Sequence, residues 1–165
     1  MPAGNTYVPI ATTTLGSSAG SVSFTSIPST YTDLVIVCSY LGASGVTSVF
    51  TRVNNDSASN YSSTVLAGNG TGATSGRFTN QTEAYQGWYG TGSNGWANSL
   101  LNFQNYANTT TNKTWLTRMN RADGEVDAGV SLWRSTSAIN RIDVYGTGSG
   151  FATGSQFSLY GIASA

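Results

Sequence analysis

The chain has no histidine, one cysteine and one lysine, and of its 165 residues only seven are basic and seven acidic. Charged side chains make up 8% of it, against about 25% in an ordinary soluble domain. Without histidine, none of its many serines and threonines has the usual base of nucleophilic catalysis. With Cys38 alone, neither an internal disulfide nor a thiolate metal site can form. The net charge is zero, and Lys113 and the six arginines are scattered, which argues against a nucleic-acid partner. No apolar run approaches the length of a membrane-spanning helix, so no membrane partner is expected. The start, Met1-Pro2-Ala3-Gly4-Asn5, has no basic stretch followed by an apolar one. The expectation is synthesis in a cytoplasm without cotranslational export. These absences favour a structural or binding protein over an enzyme.

What is present is hydroxyl, amide and ring. The aromatic share is 12%, with 20 glycines and 14 asparagines. A chain rich in aromatics with no net charge folds, and without self-repulsion it tends to associate. No apolar stripe repeats at helical spacing. Short segments rich in Val, Ile, Thr, Tyr and Phe alternate with Gly, Ser, Asn and Thr clusters. The predicted strands are Tyr7–Leu15, Ser21–Ser26, Thr32–Leu41, Val46–Asn54, Ser59–Ala67, Arg77–Tyr85, Ser99–Tyr106, Lys113–Asn120, Val126–Trp133, Ile139–Tyr145 and Ser155–Ile162. Ser21–Thr25 and Val126–Leu132 alternate apolar and polar residues, as half-buried strands do. Thr32–Leu41 is apolar on both faces and reads as a central strand lying between two sheets, with Cys38 a small core residue. The pattern predicts one all-β domain over 1–165, an antiparallel β-sandwich of jelly-roll type. The prolines and glycine of Met1–Ile10 suggest an N-terminal arm. Gly68–Gly95 reads as long loops around a poorly defined strand or hairpin.

Three constellations bear on chemistry. Gly90-x-Gly92-x-x-Gly95 matches the dinucleotide fingerprint in letters only, because no helix follows it. Asp123, Glu125 and Asp127 place three carboxylates at alternate positions, an arrangement seen in calcium sites. Three oxygens fall short of the usual coordination number, and a tight turn with solvated acids is the simpler reading, so no cofactor or metal is expected. Tyr85, Trp88, Tyr89 and Trp96 cluster among amide side chains in the loop-rich segment. That set suits sandwich core, a protein interface or a glycan surface, where rings stack on the sugar and amides bond its hydroxyls. Six Asn-x-Ser/Thr triplets occur, close to the number that composition alone produces.

The run Tyr7-Val8-Pro9-Ile10-Ala11-Thr12-Thr13-Thr14-Leu15, then Val22-Ser23-Phe24, Ile27-Pro28-Ser29-Thr30-Tyr31-Thr32-Asp33-Leu34-Val35, Asn54-Asn55-Asp56, Asn60-Tyr61-Ser62 and the closing Gln156-Phe157-Ser158-Leu159-Tyr160-Gly161-Ile162 carry a resemblance. Together they resemble a group of small, Ser/Thr/Gly-rich structural proteins of tailed bacteriophages, including phages of cyanobacteria. The resemblance implies a jelly-roll-like β-sandwich on the outer surface of the virion. The implied role is that of a capsid decoration, or cement, protein that binds the major capsid protein and forms a homotrimer. Its alternative is a module of a tail or head fibre that binds a host receptor or surface glycan. It implies no catalytic residues. Low charge fits such a lattice, since exposed ion pairs weaken with salt and packed apolar contacts do not.

Overall fold

β-branched and aromatic residues at alternate positions, interrupted by Asn, Gly and Ser, give the chain short extended segments and leave it no stretch with helical periodicity. The structure, a computed structural model, describes residues 6–44, 48–87, 95–121 and 124–163. Its strands are β1 (Tyr7–Thr14), β2 (Ser21–Phe24), β3 (Asp33–Leu41), β4 (Val49–Val53), β5 (Tyr61–Gly68), β6 (Ala73–Gln81), β7 (Ala84–Gly87), β8 (Trp96–Gln104), β9 (Lys113–Arg121), β10 (Glu125–Trp133), β11 (Ile142–Gly146) and β12 (Gln156–Ile162). Among the described residues there is no helix.

The strands form two antiparallel sheets. The large one has eight strands in the order β1-β12-β3-β8-β9-β10-β5-β6, and the small one has four in the order β2-β11-β4-β7. The first four strands alternate between the sheets, and the last two insert among them: β12 between β1 and β3, and β11 between β2 and β4. This interleaving of the two ends of the chain makes the sandwich jelly-roll-like, and both sheets stay open at their edges. Between the sheets lies the core. Leu34, Ile36, Cys38 and Tyr40 of β3 pack with Leu101, Phe103, Trp115, Phe151 and Phe157, all fully buried. The Phe103 and Trp115 rings stack with centroids 4.9 Å apart. Burial pushes the Cys38 thiol up to about 12, so it stays a neutral core group.

The structure departs from several expectations. Arg77–Tyr85 is not one strand. It divides at Thr82-Glu83 into the end of β6 and the start of β7, which belong to different sheets. The glycine-rich stretch after β5 is not a long loop. Asn69 Oδ1 accepts hydrogen bonds from the backbone N–H groups of Thr71 and Gly72, Gly70 adopts φ +84°, and the chain reverses at once into β6. Tyr7–Ile10 is no arm: it pairs with β12 as an edge strand. Pro9 is tolerated there because an edge strand needs no donor on its open side, and a register shift follows it. Met1–Asn5 and the Gly90–Asn94 part of the fingerprint segment lie outside the described residues. β3 does not lie between two layers; it is a central strand of the large sheet, and its Val37 is 42% exposed on the outer face.

The most consequential departure concerns β10. Its apolar alternation is real, but the apolar residues point outward. Val126 is 54% exposed and Val130 43%, whereas Asp127 and Ser131 are 1% exposed and face the small sheet. They meet β7. The Ser63 and Ser131 hydroxyls bond each other at 3.0 Å; Ser63 Oγ accepts the Tyr85 N–H, and Ser131 Oγ donates to the Tyr85 carbonyl. Gln86, fully buried, donates from Nε2 to Thr51 Oγ1 and to the Phe50 carbonyl. Gly87 completes the approach, since a Cβ there would collide with Met119 Cε and Asp127 Oδ2. Edge strand β7 is thus seated on the large sheet through polar groups, and the polar side of β10 must face it.

A second polar anchor closes the far end. Asp56 Oδ2 accepts from the Trp133 indole N–H at 2.6 Å and from Asn60 Nδ2 at 2.8 Å, while Oδ1 accepts the Ala58 N–H. Burial pushes this carboxyl up, but these three donors and the Arg52 charge outweigh it and hold it below the ordinary value.

Replacing Ser131 by Ala strands the Tyr85 carbonyl and is expected to cost about 1–3 kcal/mol, read by urea denaturation; an unchanged midpoint would remove the polar seam as an anchor. Asp56 titrates lower when folded than unfolded. Its contribution is therefore present above about pH 4 and lost as pH falls through the depressed folded value. The stability gap between the wild type and Asp56→Asn is expected to shrink between pH 7 and pH 3, measured by the same method.

Candidate binding surface

Large-sheet side chains that face away from the small sheet have no second layer over them among the described residues. Cross-strand register places them relative to one another. Val37 pairs with Leu100, Leu100 with Arg118, and Arg118 with Ala128, which pairs in turn with Leu66. One row further, Asn102 pairs with Leu116, Leu116 with Val130, and Val130 with Thr64. Val37, Leu100, Leu116, Val130 and Leu66 therefore form a band two rows wide across five adjacent strands, β3-β8-β9-β10-β5. Each is 40–60% exposed. Isolated exposed apolar residues are ordinary, but a contiguous band on a regular sheet marks an interaction surface.

Polar groups within the band are few. Arg118 projects from its middle and Arg77 from one border, flanked by the amides Asn98, Asn102 and Asn120. A shallow depression of about 300 Å³ opens beside Arg118, lined by Val37, Leu100, Asn98 and Asn120. Apart from Asp33 at one end, no carboxylate projects from the described part of this face, and Arg134, bonded to Ser62 at the end of β5, adds a third guanidinium to its positive bias. Lys113 adds nothing to it. That residue points inward, and its Nζ donates to the carbonyls of Thr111 and Thr136, at 2.7 and 3.1 Å.

The aromatic residues singled out in the sequence do not gather into one site. Tyr85, on β7, belongs to the small sheet. Its ring stacks on Phe78 with centroids 4.4 Å apart and meets Phe50 edge-on at 4.7 Å, and its hydroxyl bonds Ser48. Trp96 opens β8 and is 50% exposed beyond the apolar band. The two lie on different sheets, and Trp88 and Tyr89 fall outside the described residues. Of the three carboxylates, Asp123 is likewise outside them. Glu125 and Asp127 share the inner side of β10. Burial raises the Glu125 carboxyl, as does the neighbouring Asp127 charge, while Arg121 opposes the rise. Among the described residues no group of three potential ligands could hold a metal ion.

No protein-family model matches the chain, and no curated protein matches it. Solved structures with some likeness exist. One is a single mutant of congerin II, with 13% identity, 83% of this chain and 98% of that chain covered, and a TM-score of 0.37. Another is a human SPRY domain, at 8% identity, 88% and 87% coverage and a TM-score of 0.34. A third is the PL-14 alginate lyase from Aplysia kurodai, at 9% identity, 82% and 70% coverage and a TM-score of 0.31. Likeness at this level carries no functional information.

The outer-face residues were missed in the sequence because alternation reveals that two faces differ, not which of them turns inward. The available signal was the other half of β10: Glu125, Asp127 and Ser131 alternate as regularly as the valines do.

Leu116→Asp combined with Val130→Asp, which sets two carboxylates opposite each other across β9 and β10, is expected to cost the isolated chain about 1–3 kcal/mol without loss of folding. It should also reduce binding of a hydrophobic dye. A loss of folding would show that the band is instead covered within the chain.

Proposed function

We propose that this chain is a non-enzymatic virion structural protein of the capsid-decoration type, which lays the outer face of its large sheet on the major capsid protein and stabilises the shell as a homotrimer. The observation that carries the docking surface is the apolar band from Val37 to Leu66, with Arg118 at its centre. The phage assignment rests on the sequence resemblance described above. A rigid sheet presents such a band with little ordering cost on binding, which favours association. The guanidinium of Arg118 calls for a carboxylate on the partner surface, within an otherwise apolar and amide-lined contact. A contact of that kind depends little on salt, as expected for a coat that meets changing media. The scarcity of charge elsewhere and the absence of histidine support a role in contact rather than catalysis.

The experiment is sedimentation of purified protein with capsid shells that lack it. Wild type is expected to co-sediment, and Leu116→Asp with Val130→Asp to reduce binding at least tenfold while remaining folded at the temperature of the assay. Equal binding of the variant would overturn the docking face. Failure of the wild type to bind any shell would overturn the decoration role.

A further inference from the structure

The outer face of the small sheet has the opposite chemistry. Edge strand β2 presents only Ser21 and Ser23 outward, next to Tyr145 and Asp143 of β11 and, beyond them, Arg52 of β4. Because the β2 side chains are small and the turn after β4 rises at Asn55 and Ser57, a depression of about 430 Å³ opens between them. That size is within the ~300–1,000 Å³ of small-molecule sites.

Its polar groups are held in place before any ligand arrives. Asp143, 9% exposed, accepts from Arg141 Nε at 2.9 Å and Nη2 at 2.7 Å, and from the Ser23 hydroxyl. Arg52 is fixed by Glu83 at 2.9 Å and lies over the Tyr145 ring, 5.4 Å from its centroid. Tyr145 donates its hydroxyl to the same Glu83 carboxylate. Arg52 also donates from Nε to the Thr82 carbonyl, so in both arginines Nε and Nη2 are engaged. Among the described residues the Nη1 groups make no hydrogen bond, and both residues line the depression.

Charge decides the class of ligand. Each guanidinium already has its carboxylate, so no net positive charge is left to hold a free anion. The depression instead offers fixed donors beside fixed acceptors: the Arg Nη1 and Asn55 amide groups next to the Asp143 and serine oxygens. A hydroxyl both donates and accepts, so adjacent hydroxyls on one molecule satisfy such a mixed set where a phosphate cannot. The half-buried Tyr145 ring adds an apolar wall for a C–H face. We propose that this depression is a binding site for a neutral saccharide, one or two sugar rings in size, held by Arg141, Asp143, Arg52, Asn55 and Ser21. It lies on the sheet opposite the docking band and stands whether or not the capsid assignment does.

The test is a glycan array carrying neutral hexose, N-acetylhexosamine and uronic-acid oligosaccharides, probed with the labelled wild-type chain. Backbone amide shifts are then mapped during titration with whatever saccharide is retained. The expected result is a retained neutral saccharide whose shifts centre on Ser21–Ser23, Asn55 and Arg141–Asp143. Ser21→Trp, which fills the depression without removing a bond of the network, should weaken binding at least tenfold, and Leu116→Asp should leave it unchanged. If Ser21→Trp does not fold, the wild-type shift map decides. The proposal is overturned if no saccharide is retained, if the shifts centre on Trp96 or elsewhere, if Ser21→Trp folds and binds normally, or if the retained sugars are acidic only and inorganic sulfate displaces them.

Discussion

Strand β7 is fastened to the large sheet by the hydroxyls of Ser63 and Ser131, and much of the molecule's surface chemistry follows from that. An apolar β7 would have called for an apolar partner face on β5 and β10. Instead Ser63, Ser131 and the backbone of Tyr85 form a closed set of hydrogen bonds, with Gln86 bonded back to Thr51 and Phe50. Buried polar groups are costly unless paired, so this arrangement admits one seating of β7 and one orientation of β10. Strand geometry does the rest. Turning the serines inward turns Val126, Ala128, Val130 and Leu132 outward, because successive side chains point to opposite faces.

The two outer faces then differ in kind. On the large sheet, Leu and Val side chains from five strands line up around Arg118, a surface suited to broad contact with another macromolecule. On the small sheet, paired arginines and carboxylates surround a depression bordered by serines, a surface suited to a small polyhydroxylated ligand. The sandwich keeps the two apart, so each can change without disturbing the other. A virion protein that grips the shell with one face and a saccharide with the other would use both.

The ends of the chain are tied into this frame. β12 lies between β1 and β3, and β11 between β2 and β4, so both sheets need the last strands to hold the first ones together. Such pairings are almost all distant in sequence, which predicts slow folding relative to local topologies of the same size.

The sequence by itself determined the all-β class, the antiparallel sandwich, most of the strand positions and the burial of Cys38, because alternation and turn residues act locally. It also determined how few chemistries are open to a chain without histidine and with so little charge. Tertiary structure alone decided the rest. Which side of β10 faces the core depends on β7, a strand from a distant part of the chain. That Tyr85 and Trp96 lie on different sheets depends on where β7 leaves β6. The saccharide depression draws on β2, the turn after β4, and β11, none of which is close to another in sequence. Local pattern records that a strand has two unlike faces; only the partner that packs against it determines which face is left for function.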